Sequence, residues 1–168
     1  MKGLLVIDVQ NDYFPGGKLP LWNTEATLNN IEAAVLKALT KQMPVIFVQQ
    51  FTDPQTAEMF NEGTEGAEIH PRLKAVAPDA HIVVKAFADS FYQTNLDELL
   101  TKLNVTTLLV CGMMTQNCVT HTAISRAAEK YEVFILSDCC TTVSALIHNI
   151  ALRAVTIRLP VVPSNEVL

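Results

Sequence analysis

Apolar and polar residues fall in two kinds of block along this chain. Residues 3–9, 44–50, 82–85, 105–111 and 132–136 are short, continuous apolar runs rich in Val, Ile and Leu, the composition of strands buried on both faces. Between them the apolar residues recur at helical spacing. Leu28, Ile31, Val35, Leu36 and Leu39 mark a helix over 24–40, and 95–103 reads as a second that Thr94 can cap. From Cys118, the positions Val119, Ala123, Ile124, Ala127 and Ala128 mark a third helix running toward Tyr131, and 144–153 a fourth. A last strand is expected at 155–157.

Strands alternating with helices predict parallel strands joined by crossovers. The expected fold class is α/β: a three-layer α/β/α arrangement with a six-stranded, mostly parallel, Rossmann-like sheet. Ligands in such sheets bind beyond the C-terminal ends of the strands. Segment 51–78 breaks the pattern with Gly63, Gly66, Pro54, Pro71 and Pro78, and reads as a functional loop or lid. The tail, 159–168, carries Pro160 and Pro163; it should continue neither helix nor central strand and should pack on a neighbour or a partner subunit.

Composition narrows the partners. A chain of 168 residues, 49% of them hydrophobic, suffices for one core, so a single domain over 1–168 is expected. The net charge of −5, with no run of Lys or Arg, argues against nucleic acid and against an anionic membrane, which leaves a small-molecule substrate. The N-terminal apolar run stops at Asp8 and reads as a buried strand, not as a leader or membrane span. The four cysteines, Cys111, Cys118, Cys139 and Cys140, include no C-x-x-C pair, so free thiols in a cytoplasmic protein are expected, with no zinc ribbon.

Three polar residues stand where the sheet should bind a ligand. Asp8 closes Leu-Leu-Val-Ile-Asp, Lys85 closes His-Ile-Val-Val-Lys, and Cys118 follows the strand at 105–111. A cysteine in the first turn of a helix faces free N–H groups and the positive end of the dipole, which lower a thiol pKa and can hold an oxyanion. Alone, Cys118 reads more readily as an inert core thiol than as a nucleophile, and Asp8 or Lys85 equally as half of a structural ion pair. Together they supply a base, a cation and a nucleophile.

The segments Asp8-Val-Gln-Asn-Asp-Tyr-Phe, Lys85-Ala-Phe-Ala-Asp-Ser-Phe-Tyr-Gln-Thr-Asn-Leu and Gly112-Met-Met-Thr-Gln-Asn-Cys118-Val resemble, in order, the three signature stretches of the isochorismatase-like cysteine hydrolases. That superfamily includes nicotinamidases and N-carbamoylsarcosine amidohydrolase. The resemblance implies a catalytic triad at Asp8, Lys85 and Cys118, and a cis peptide at Met113–Met114. It also implies an oxyanion hole from the N–H groups of Met114 and Cys118, and a pocket that includes Tyr13, Phe91, Asn117 and Met113. It implies subunits that form a dimer or tetramer, and the tail or the long loop is expected in that interface.

Departures from the family pattern refine the reading. Nicotinamidases of this type carry Asp-x-His and a further His after the second strand; here Asp53 has no histidine two residues on, so neither metal nor cofactor is expected. His70 should be structural or line the pocket, His121 should pack behind the site, His81 and His148 should be surface or packing residues, and Asp138 should serve a strand–helix turn. Pro15-Gly16-Gly17 is nicotinamidase-like. Isochorismatases proper need no cysteine nucleophile, so Cys118 favours attack on an amide-type carbonyl. The expected activity is hydrolysis of a small C–N substrate, other than a peptide, through a Cys118 thioester. Nicotinamidase is the alternative within the family; a non-catalytic small-molecule-binding or thiol-sensing protein is the alternative outside it.

Overall fold

The computed structural model describes residues 1–168. Strand β1 (Lys2–Ile7) lies inside the sheet, and Leu4, Leu5, Val6 and Ile7 are closed off from solvent, as an apolar run without alternation requires. On one side follow β2 (Val45–Gln50) and β3 (His81–Lys85); on the other, β4 (Thr107–Met113), β5 (Glu132–Thr141) and β6 (Val161–Val162). The order is β3-β2-β1-β4-β5-β6, and every pairing is parallel. The connecting helices are α1 (Thr24–Thr40), α2 (Pro71–Val76), α3 (Leu96–Lys102), α4 (Thr120–Ala123) and α5 (Ala145–Val155). A single cluster of 44 buried apolar residues fills the interior.

The strand order steps outward from β1 and β4 in opposite directions. Right-handed crossovers therefore place the chain leaving β1 and the chain leaving β4 on opposite faces, and a crevice opens between them at the C-terminal strand ends. Asp8 follows β1 directly, and the segment carrying Cys118 follows β4.

Four elements differ from the sequence expectation. Residues 155–157 are not a strand: His148, Ala151, Leu152 and Val155 are buried at spacings of three, four and seven, so α5 continues to Val155. The sixth strand is Val161–Val162 in the tail, where Ile135 N–H donates to Pro160 O at 3.1 Å. Two residues on a sheet edge can be flanked by prolines without losing a rung of the ladder. The tail thus packs on its own chain, and Asp138 pins it by accepting from Ser164 N (2.7 Å) and Ser164 Oγ (2.8 Å) instead of serving the β5–α5 turn.

The long helix expected from Cys118 is broken into a π turn (Thr115–Val119), α4 and a 3₁₀ segment (Arg126–Lys130). The break falls at Ile124 and Ser125; Ser125 Oγ accepts from Ala127 N, a local bond that competes with helix continuation. Segment 51–78 contains regular structure after all: a 3₁₀ turn (Glu65–Ala67), then α2 with Pro71 at its start and His70 Nδ1 accepting from Arg72 N at 3.3 Å. His70 is therefore a helix cap, and the cleft of about 500 Å³ that it borders, with Asn11, Asp12, Phe14 and Lys18, includes none of Asp8, Lys85 and Cys118.

Candidate active site

Asp8 is set by the turn that ends β1. Its φ of +51° is a left-handed conformation that few side chains adopt, held by Asp8 N–H to Val48 O (2.9 Å) and Gln10 N–H to Asp8 O (2.9 Å). The neighbouring β4 needs a glycine at the matching place: Gly112 pairs with Ile7, and a Cβ there would stand 2.0 Å from Ile7 O. Beyond Gly112 the Met113–Met114 peptide is cis, and the π turn that follows carries Cys118. His148 of α5 supports that turn from behind through a 2.9 Å hydrogen bond with Thr115 Oγ1. His148 thus has a specific place beneath the nucleophile that the sequence did not signal.

The three side chains meet. Lys85 Nζ is 2.8 Å from Asp8 Oδ2 and 3.3 Å from Cys118 Sγ, and all three residues are 2% exposed or less. The ammonium also lies within hydrogen-bond reach of Gln50 Oε1, Phe87 O (3.0 Å) and Cys118 Sγ. The 2.8 Å contact with Asp8 Oδ2 is an ion pair between two side chains closed off from water. A buried carboxylate in that state is a strong proton acceptor.

The ionisation of each group follows from its surroundings. Burial raises the Asp8 pKa, and the nearby Lys85 charge offsets only part of that. For Lys85, burial opposes the charged form, but the charges of Asp8 and Cys118 outweigh it and raise the pKa, so the ammonium persists. The Cys118 pKa is raised far above the ordinary thiol range, first by burial and then by the Asp8 carboxylate, with Lys85 acting in the opposite direction. This corrects the expectation that a helix N-terminus would acidify the thiol: Cys118 is the fourth residue of a closed π turn, not the open first turn of an α-helix. At rest the site is a thiol beside a carboxylate–ammonium pair.

The surrounding residues are placed as follows. The Met114 N–H donates to no protein acceptor, and the Cys118 N–H to none outside its own turn. Tyr13 is buried, packs edge-on against Phe60 at 4.8 Å, and has its phenol pKa raised by burial and then by the charges of Asp8 and Cys118. Met113 is fully buried, and Asn117 is half-buried with its carbonyl accepting from His121 Nδ1 at 2.8 Å. His121 is exposed and bonded away from Cys118, so it neither forms a dyad nor packs behind the site. Phe91 is buried against Tyr131, at 6.1 Å between rings. Phe87 meets Lys85 through its backbone carbonyl, while its exposed ring packs edge-on against Tyr92.

Gln50 is the residue that sequence reasoning passed over. It ends β2 in register with Lys85, and one oxygen, Oε1, accepts from both Lys85 Nζ and Cys118 Sγ (3.5 Å). Its backbone is clamped by the fully buried Gln10, whose amide takes Gln50 N–H (2.8 Å) and donates to Gln50 O (2.8 Å) and Ala67 O (2.7 Å). The sequence shows only two amides closing an apolar strand, in Val-Gln-Gln, which by themselves look like ordinary packing.

The residues after β2 do not suit the metal that nicotinamidases of this type hold. Asp53 Oδ1 is taken by Gln55 N at 2.8 Å, and no group of three or more His, Cys, Asp or Glu side chains converges anywhere in the chain. No helix is long and apolar enough to cross a membrane.

Comparison with known proteins gives consistent matches. The isochorismatase domain profile matches residues 2–166. The isochorismatase family protein YddQ of Bacillus subtilis is 36% identical over 146 residues, covering 87% of this chain and 81% of its own. The nicotinamidase of Escherichia coli is 25% identical over 179 residues, covering 85% of this chain and 84% of its own. The crystal structure of an isochorismatase family protein from Desulfovibrio vulgaris superposes with a TM-score of 0.90 at 25% identity, covering 98% of this chain and 95% of that one.

Proposed function

This chain belongs to the isochorismatase family, and from that premise we propose that it is a cysteine hydrolase that cleaves the C–N bond of a small amide through a thioester on Cys118. The observation that carries the proposal is the buried meeting of Asp8, Lys85 and Cys118, with Nζ 2.8 Å from the carboxylate and 3.3 Å from the sulfur. A structural ion pair would have no need of a thiol in its third contact.

In this mechanism Asp8 accepts the thiol proton as sulfur attacks the carbonyl carbon. Its raised pKa suits it for the task, since a general base works best when its pKa nears the working pH. Lys85 keeps its charge and stabilises the developing thiolate. The carbonyl oxygen, becoming an oxyanion, takes hydrogen bonds from the N–H groups of Met114 and Cys118. Protonated Asp8 returns the proton to the leaving nitrogen, the C–N bond breaks, and ammonia or an amine departs. A water deprotonated by Asp8 then attacks the thioester, releasing the acid and restoring the thiol.

Nicotinamide belongs in the first substrate panel because the Escherichia coli nicotinamidase is among the relatives. The test is ammonia release from a panel of small primary amides, with acid-quenched protein analysed by mass during turnover. The proposal requires an acyl increment on the peptide that holds Cys118. Turnover with the increment on another residue, or with none under pre-steady-state quench, refutes it.

We also propose that the chain forms a symmetric homo-oligomer across α5. The support is an apolar face built from Trp22, Val143, Leu146 (70% exposed), Ile147, Ile150 (59%) and Ile157 (90%). Large apolar side chains exposed along one helix in this way mark a partner surface. Residues 143–150 carry no charged side chain at the surface, so the face can meet a copy of itself without like-charge repulsion.

A further inference from the structure

Gln50 has a free half. Lysine offers only donors, so the oxygen of the Gln50 amide must be the end that faces Lys85, and the NH₂ end is fixed by exclusion. That oxygen is occupied twice, by Lys85 and by Cys118. The Nε2 group, with two N–H donors, has no partner in the protein, yet it is not among the enclosed unpaired atoms, and the residue as a whole is half-buried. It is therefore a free donor pair that is not sealed off from solvent, on the residue that touches both Lys85 and Cys118.

The distance is suited to a substrate contact. Oε1 lies 3.5 Å from the nucleophilic sulfur, and Nε2 of the same amide is ~2.2 Å from Oε1 by covalent geometry, so the donors stand at most ~6 Å from Sγ. An acyl group attached to sulfur places its scissile carbon and the substituent on the adjacent carbon within that span. The donors are also rigidly aimed, because Gln10 holds both backbone groups of Gln50 and Lys85 holds its oxygen.

We infer that Gln50 is a specificity-determining residue that donates from Nε2 to a hydrogen-bond acceptor next to the scissile carbonyl. The substrate class is then the small amides that bear a carbonyl, carboxylate or aromatic nitrogen on or beside the carbon attached to the carboxamide. An amide with only hydrocarbon there leaves the Nε2 donors without an acceptor and is discriminated against. The inference rests on the amide-hydrolase reading above and narrows its substrate.

Picolinamide and benzamide isolate the contact, since they share size and shape and differ by one ring nitrogen beside the carboxamide-bearing carbon. Protection of Cys118 against iodoacetamide by each amide reads binding without requiring turnover; kcat and KM for ammonia release read catalysis. The wild type should favour picolinamide by about fivefold or more in protection and in kcat/KM, the worth of one neutral hydrogen bond. In Gln50→Glu, which keeps an acceptor for Lys85 and loses the donors, the preference should vanish, through KM more than kcat. Gln50→Met should lose it as well. A preference that survives in Gln50→Glu, or equal or absent protection by the two amides in the wild type, overturns the inference. Differential protection without any ammonia release would support the contact and refute the hydrolase reading instead.

Discussion

The ammonium of Lys85 lies 2.8 Å from the carboxylate of Asp8 with both side chains shut off from solvent. In that pair the two partners act on Cys118 in opposite senses: Asp8 raises the thiol pKa and Lys85 lowers it. The pH dependence of Cys118 alkylation by iodoacetamide should separate them. In Asp8→Asn the midpoint should move to lower pH, because the carboxylate that opposes the thiolate is gone while the cation remains. In Lys85→Met it should move to higher pH. Shifts of the same sign in both variants would contradict this account of the site's electrostatics.

Lys85→Met should also cost stability, by about 3–5 kcal/mol at neutral pH, since it leaves a buried carboxylate without its counter-charge. The Asp8 pKa, already raised by burial, would rise further without Lys85. A group whose folded pKa is raised favours the folded state below its unfolded value, near 4 for a carboxylate, and loses that advantage as pH climbs through the folded value. The stability gap between Lys85→Met and wild type should therefore narrow as pH falls from 7 toward about 4. Urea midpoints across that range measure it, and a gap that widens in acid would be the contrary result.

Much of this site was legible in the sequence, because Asp8 and Lys85 end apolar runs, and a charge at the tip of a buried strand is rare enough to notice. Cys118 was legible through its neighbours. Gln50 and His148 were not, since an uncharged amide at a strand end and a histidine at helical spacing look like ordinary packing until their partners are known. The parallel sheet and α1 followed from pattern alone. The end of α5 was misread because Val155 and Ile157 look like strand, whereas the helical register from His148 governs Val155. Broken helices such as 115–130 escape periodicity, since apolar spacing persists through a turn that Ser125 interrupts.

Metal should be dispensable. Asp53 is committed to its own turn, and no other cluster could take over its place in a metal site. Prolonged dialysis against EDTA should leave ammonia release within twofold of the untreated protein; a loss restored by zinc or iron would show that ligands assemble in a way this fold does not display.

Self-association should depend on α5. Light scattering at micromolar concentration should give at least twice the 18.5 kDa of one chain, and the Leu146→Asp/Ile150→Asp double variant should fall to that single mass while remaining folded. A monomeric wild type, or an oligomer indifferent to both substitutions, would refute the assignment of that face.

The most direct test of the covalent mechanism is the rate of ammonia release by Cys118→Ala against wild type, on an amide that the wild type hydrolyses and with folding verified by circular dichroism. A missing nucleophile cannot be replaced by positioning, so the rate should fall by about 10³-fold or more, to background. A Cys118→Ala protein that keeps a tenth of wild-type turnover would contradict the account.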